Sequence, residues 1–409
     1  MRTTRPAEYG ELAALFFFQA MALGMWMVPL SRVLAAHGLP QLRAYAFATL
    51  AVAAFISPLL FGAMADRHVS PVQVLRWLAV ASGSAMAVVS WSIGHGWPTG
   101  VILAMVQVFS ICASPTGSIA TTIVFSRLRD SPREFGPVRA VATFGWMCGC
   151  WLVSGLGADA STLSGYGGAV VWLVLGLFNY LLPSVPPPAA VGPVTWRERM
   201  GWDALGLLKH HDHRVVFITT ALFSIPLAAF YPFAPAHLHQ LGFQRTSAWM
   251  SLGQVTEILA MFSLAGLLTN WRLKWILGGG LIVGLLRYGL CTLNGRLPVL
   301  AGVTLHGFSF TLFYITAQIY LNERIDPAWR ARAQALMSMM NAGVGNLLGY
   351  LGTGFWLEAC TRGGRTDWSS FWGGLSIVVL LVLSYFLLAY HGQGTGLRRA
   401  RVEGNGGRG

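Results

Sequence analysis

Apolar stretches of roughly twenty residues recur along the chain from Leu12 to Tyr390, separated by short polar loops. About twenty helical residues span the hydrocarbon core of a bilayer. The repetition therefore predicts many membrane-crossing helices rather than one buried core. Of the 409 residues, 55% are hydrophobic and only 11% charged, whereas a soluble domain carries about 25% charged residues. A deficit spread along the whole chain means that most of the surface faces something other than water. The expected class is an all-α membrane protein, not a soluble enzyme.

The formal net charge of +13 raises a nucleic-acid reading. The basic residues reject it, because they sit in short loops between apolar spans rather than on one face. Cys112, Cys148, Cys150, Cys291 and Cys360 lack metal or redox spacing and read as small packing residues. The first apolar run, about 12–30, exceeds the roughly 7–15 residues of a signal-peptide core and shows no small-residue cleavage site. It reads as a retained span.

Twelve spans can be placed at about 11–31, 44–65, 72–93, 99–123, 137–158, 166–183, 214–236, 247–269, 273–293, 297–320, 332–357 and 370–390. Residues 184–213, with Pro186, Pro187 and Pro188 and the basic Arg197, Arg199 and Lys209, read as a cytoplasmic linker. The linker separates two six-helix halves, 1–183 and 214–391, and the Gly- and Arg-rich residues 392–409 are expected to form a disordered cytoplasmic tail. Twenty of the 28 Lys and Arg fall in loops on the N-terminal side, six on the opposite side, and two, Arg139 and Arg287, within spans. By the positive-inside rule, both termini are expected to be cytoplasmic in a multi-pass protein of a bacterial inner membrane. The halves also echo each other. Pro132 and Arg139 open a Gly-rich span five, and Pro327 and Arg332 open a Gly-rich span eleven about half a chain later.

Glu257 lies in the middle of span eight, while nearly all the other acids lie in loops or at span ends. A carboxylate at that depth is expensive and is expected to face a cavity or a partner. Removing a carboxyl partly from water favours its neutral form, the property that a proton carrier needs. Gln254, three residues earlier, shares its face. Arg139, Thr143 and Trp146 are spaced i, i+4, i+7 and stack along one face of span five. A guanidinium fork, a hydroxyl and an indole plane together suit a hydroxylated ring; a snorkelling arginine above a packed Trp is the alternative.

In span ten, His306 and Phe310 are i, i+4, and a histidine there serves equally as a helix-contact residue. Pro226, Pro232 and Pro235 around Tyr231 predict a broken span seven whose freed carbonyls line a cavity. Arg287 has no evident sequence partner and reads as structural. His210, His211, Asp212 and His213 read as solvated linker rather than a metal site. No phosphate-cradling Gly loop with Lys and Ser/Thr is present, which argues against ATP-driven pumping.

The run from Gly62 to Arg67, with Asp66 before Arg67, resembles the major facilitator loop motif, in which Gly, Asp and Arg serve structural and gating roles. Over nearly its whole length the chain resembles the nucleoside:proton symporters of that superfamily. The resemblance is carried by Phe135 to Arg139 and Thr143 to Trp146, by 201–205, and by Gln254 to Glu257. It continues in Glu323 to Gln334 with Met337, Met339 and Met340, and in Thr366 to Trp368. It implies twelve transmembrane helices in two pseudo-symmetric six-helix bundles, with substrate near the midplane between rocking halves.

The resemblance also implies substrate contacts from Arg139, Thr143, Trp146, Tyr231, Gln254, Glu257, His306 and Phe310, with Glu257 as the proton-coupling group. The family more often has Phe where Trp146 stands. In span ten it has Tyr, then Phe followed by Asp, where this chain has His306, Phe310 and Thr311. Polar span-seven positions of the family correspond to Ala228 and Tyr231. The pairing of Arg139 with Trp146 also resembles lactose permease and its oligosaccharide:proton relatives.

The expected function is proton-coupled uptake of nucleosides by alternating access, in a monomer that lies in the bilayer and needs no cofactor, metal or nucleic acid. A sugar or glycoside:proton symporter is the alternative, and a drug exporter stands behind both.

Overall fold

The computed structural model describes residues 4–65, 69–184, 195, 202–326 and 329–392, without the side chains of 58–65, 131–133, 265, 269 and 331. Asp66 and Arg67, most of the expected linker and nearly all of the expected tail lie outside the described residues; Gly62 lies within the last turns of a helix.

Helices follow one another with short turns. The first half holds α1 (Pro6–Ala36), α2 (Arg43–Ala65), α3 (Pro71–Gly94), α4 (Thr99–Arg127), α5 (Ser131–Gly155) and α6 (Leu163–Phe178). A 3-10 helix, Trp202–Lys209, precedes the second half. There follow α7 (His211–Gln240), α8 (Leu252–Asn270, entered through the short helix Thr246–Met250), α9 (Leu273–Thr292) and α10 (Arg296–Arg324). The last two are α11 (Arg330–Ser338 continuing through Met339–Gly345 and Asn346–Ala359) and α12 (Trp368–Ala389). A two-stranded hairpin, β1 (Thr361–Arg362) and β2 (Arg365–Thr366), joins α11 to α12.

Seven of these helices, α1, α3, α4, α7, α9, α10 and α12, are long and apolar enough to cross a membrane by length and composition. Two of the others depart from a plain apolar helix. α8 holds Glu257, and α11 is interrupted by a π-helical segment, Met339–Gly345. The all-α class expected from the sequence is the class observed.

Local chemistry explains the breaks. Pro115 interrupts α4 between Ala113 and Thr116, because proline lacks the N–H and crowds the preceding turn. α7 is interrupted at Ala229, between Pro226 and Pro232. The carbonyl of Pro226 accepts from the Tyr288 hydroxyl at 2.7 Å, and that of Pro232 accepts from Ser31 Oγ. Span seven is broken as expected, but these two carbonyls are taken up by side chains, and neither Pro226 nor Pro232 lines the cavity described below. Asp367 caps α12, accepting from Ser370 N at 3.1 Å.

Two apolar clusters fill the interior. One is drawn mainly from residues 12–182 and the other from 204–390, and they meet where Val28 and Cys150 join the second and Ala228 and Tyr350 the first. Within each half, two helices approach through glycines. A Cβ on Gly149 of α5 would meet Met21 O of α1 at 2.5 Å, and one on Gly24 would meet Trp146 O at 2.6 Å. A Cβ on Gly345 of α11 would meet Ala221 O of α7 at 2.8 Å, and one on Gly349 would meet Ile225 O at 2.7 Å. Gly145 with Gly149 and Gly345 with Gly349 are both small residues four apart, the spacing that lets apolar helices pack backbone to backbone.

Candidate substrate cavity

A cavity of about 290 Å³ lies between the halves. Arg139, Thr143 and Trp146 border it from α5, Tyr231 from α7, Gln254 and Glu257 from α8, and His306 and Phe310 from α10. Every residue expected to touch substrate therefore lines one space. Its volume is near the lower end of ligand sites, roughly 300–1,000 Å³.

The first wall is one face of one helix. α5 is held against α1 by Gly145 and Gly149, so its three side chains share a rigid support. Thr143 is buried, Trp146 half-buried and Arg139 exposed. The Trp146 ring lies 5.7 Å from that of Tyr231 across the space between the halves. Trp146 Nε1 is buried without a hydrogen-bond partner.

The second wall is composite. Gln254 Nε2 donates to the Tyr231 hydroxyl at 3.3 Å, while Gln254 Oε1 is buried without a partner. Glu257 enters no ion pair among the described residues, unlike Glu11, which pairs with Arg127 at 2.7 Å. Arg139 borders the same cavity from the opposite half. Gly253 and Gly307 set the depth of the wall. A Cβ on Gly307 would collide with the backbone of Gly253 and Glu257, so α8 and α10 touch where the acid stands. A buried polar atom left unpaired costs about 1–3 kcal/mol, so Trp146 Nε1 and Gln254 Oε1 are groups that a polar solute could satisfy.

Sequence reasoning missed Ala20, Ala142, Leu227, Asn341, Asn346 and Tyr350, which also border the cavity, and named Ala228 only as a family position. Asn341 and Asn346 carried a signal, being amides inside an apolar span. In an α-helix of 3.6 residues per turn, positions five apart point to different sides. The π-segment Met339–Gly345 bonds i to i+5 and brings the two toward one face. Asn341 Oδ1 accepts from Ser224 Oγ at 2.8 Å, and Ser224 Oγ also meets the Tyr314 hydroxyl at 3.0 Å. Thr311, at the position where the family has Asp, is buried with Oγ1 unpartnered.

Two sequence readings change. Arg287 is not without a partner, because its Nη1 lies 2.7 Å from His306 Nδ1. The histidine run at 210–213 is not simply solvated linker, because α7 begins at His211. His213 Nδ1 lies 2.7 Å from the Tyr320 hydroxyl, and Asp212 Oδ1 accepts from His391 N at 3.1 Å. Among the described residues no group of His, Cys, Asp and Glu could hold a metal ion.

The family model described as Nucleoside H+ symporter matches residues 9–394. The chain belongs to the nucleoside H+ symporter family. Among relatives of this family member, YegT of Escherichia coli (strain K12) is 29% identical over 427 residues, 98% of this chain and 97% of its own. The nucleoside permease NupG of the same organism is 26% identical over 355 residues, 81% of this chain and 84% of its own. The crystal structure of a variant of the nucleoside transporter NupG superposes with a TM-score of 0.86 at 24% identity, covering 94% of this chain and 100% of that one. A bacterial homologue of the lysosomal transporter Spinster, inward-facing and unoccupied, gives a TM-score of 0.70 at 12% identity, with 95% and 96% covered. The chain is a transmembrane transporter with the fold of these proteins.

In this symporter-family chain, a latch that the sequence did not reveal ties the halves at one end. Gly157, at φ +67°, turns the chain after α5 and brings Asp159 beneath the α7–α8 turn, where Gly242 has φ +87°. Asp159 Oδ1 accepts from Ser247 N at 2.6 Å, Thr246 Oγ1 at 3.3 Å and Ser154 Oγ at 3.1 Å. Ser154 Oγ accepts from Ala248 N at 2.9 Å, and Trp151 Nε1 donates to Ser251 Oγ at 2.9 Å. Ser31 Oγ of α1, which donates to the Pro232 carbonyl of α7, adds a further side-chain hydrogen bond between the halves.

Proposed function

We propose that this chain takes up nucleosides together with protons, as a monomer in a bacterial inner membrane with both termini cytoplasmic. The observation that carries the reading is the convergence of Arg139, Thr143 and Trp146 from one half with Gln254 and Glu257 from the other on a single small cavity. In this reading residues 1–183 and 214–391 are the rocking bodies, joined through 184–213. Arg139 donates to ribose or base oxygens and Trp146 lies along the ring. Gln254 reads the polar edge, and Glu257 binds a proton with the solute and releases both on the other side. The end tied by Asp159 is then the outer gate, closed in this conformation. Secondary transporters of parallel six-helix repeats work by such rocking.

The relatives of 26% and 29% identity, which carry the names of a nucleoside permease and a nucleoside transporter, support the nucleoside class. Uptake of labelled uridine or adenosine into proteoliposomes should rise when an inward proton gradient is imposed. Uptake indifferent to the gradient, or not competed by unlabelled nucleosides, refutes the reading. A second reading, a glycoside:proton symporter, is favoured by the Arg139 and Trp146 pair and is distinguished by competition with glycosides. The cavity of about 290 Å³ suits a solute of one or two rings better than an oligosaccharide.

A further inference from the structure

We propose that Arg287 is a positioning residue that fixes the tautomer of His306, so that His306 presents Nε2–H to the cavity as a permanent donor to a lone pair on the transported solute. The solute class is that of the nucleoside reading above, on which the donor role rests; the tautomer assignment does not depend on it.

Arg287 is 2% exposed and His306 5% exposed, both deep in the second half. Arg287 Nη1 lies 2.7 Å from His306 Nδ1. A guanidinium has five N–H donors and no acceptor, so the imidazole nitrogen must supply the lone pair. Nδ1 therefore carries no proton, and the proton of the neutral ring is on Nε2. A histidine ring nitrogen is normally a choice between two tautomers set by its neighbours. Here one neighbour removes the choice.

The plane of the ring is set by its neighbours. The Phe230 ring stacks on the His306 imidazole at 4.0 Å between centroids and 9° between planes. The Arg287 guanidinium covers the same Phe230 ring at 4.6 Å and the Tyr288 ring at 4.8 Å. A Cβ on Gly253 would stand 3.2 Å from His306 Cβ and 3.5 Å from its Cδ2, so α8 packs closely against the histidine. Among the described residues no carboxylate pairs with Arg287. Its buried charge is met by two aromatic faces and the imidazole lone pair, an arrangement that serves orientation better than neutralisation.

His306 borders the cavity, and Nε2 has no protein hydrogen-bond partner among the described residues. An N–H fixed in a cavity wall discriminates strongly, because a solute without an acceptor leaves it unpaired. The acceptor would be a carbonyl oxygen or an unprotonated ring nitrogen of the base, or a sugar oxygen.

The test uses the full-length protein in detergent with uridine and adenosine as probes. Nitrogen-15 histidine spectra of wild type, assigned by difference from His306→Phe, should show Nδ1 of His306 as the bare nitrogen and Nε2 as the protonated one. The same spectrum of Arg287→Met should show both tautomers. In calorimetry His306→Phe should weaken nucleoside binding by roughly 5–50-fold, the range of one lost hydrogen bond in a buried site. His306→Gln, which keeps an N–H near the Nε2 position, should stay within about 5-fold of wild type, well short of that loss. A wild-type spectrum with the proton on Nδ1, unchanged binding in His306→Phe, or equal losses in the Phe and Gln variants would overturn the proposal. If wild type binds neither probe, the nucleoside reading fails, while the spectrum still decides the role of Arg287.

Discussion

The two walls of the cavity are built by opposite means. The first is a single helix, α5, backed onto α1 through Gly145 and Gly149, and its three side chains follow from i, i+4, i+7 spacing. The second is assembled from α7, α8, α10 and α11, of which α7 is broken, while α10 and α11 each pass through a π-segment, Thr311–Ile315 and Met339–Gly345. A wall on one regular helix can be read from a periodic sequence. A wall on four irregular helices depends on where each backbone deviates, and the deviations place polar groups where regular periodicity would not. On the function proposed above, the single-helix face receives the solute, while the composite one carries the proton and sets specificity.

The largest effect that sharpens this contrast is expected at Arg139. Arg139→Ala should reduce nucleoside transport by about 10–100-fold, the range for losing a hydrogen bond to a charged donor, as read from initial uptake rates. Arg139→Lys should recover little, since a point charge does not replace a bidentate fork. Equal activity in the Lys variant would show that α5 supplies charge rather than geometry.

Next come the glycines. Gly149→Leu, which forces a side chain against Met21 O, should destabilise the first half by about 1–3 kcal/mol through overpacking, seen as a lower Tm in detergent. Gly345→Leu, against Ser224 and Ala221, should cost a similar amount yet damage transport more per degree of Tm lost, because α11 also places Asn341 and Asn346. Identical ratios of stability to activity in the two variants would erase the distinction between the walls.

The Asp159 latch is expected to have a subtler role. Asp159→Asn leaves the shape but removes charge from acceptors that serve Ser247 N and Thr246 Oγ1. Spin labels on the α5–α6 and α7–α8 turns should report a broader, longer distance distribution, with a population shift worth about 1–2 kcal/mol. An unchanged distribution would mean that apolar contacts alone hold that end shut. The smallest change is expected for Trp146→Phe, since stacking area survives and only an unpartnered N–H is lost. Transport within about 3-fold of wild type is the expected outcome.

Much of this architecture was legible. Recurrent apolar runs and the scarcity of charge were enough for the class, and the isolated depth of Glu257 and the α5 face led to one cavity. What stayed hidden lay in tertiary geometry. Asn341 and Asn346 needed the π-segment. Arg287 and His306, nineteen residues apart on different helices, have no shared period that would join them. Asp159 looked like a loop acid, and only the turn at Gly157 carries it to the other half. Of the Gly62–Arg67 motif, Asp66 and Arg67 lie outside the described residues.

One acid is asked to couple the gradient to the solute, and exchange kinetics test that directly. In proteoliposomes loaded with unlabelled uridine, Glu257→Gln should still exchange labelled uridine across the membrane at a rate comparable to wild type. With an inward proton gradient and no internal uridine, the same variant should fail to accumulate label above the external concentration. Gradient-driven accumulation intact in Glu257→Gln would contradict the account.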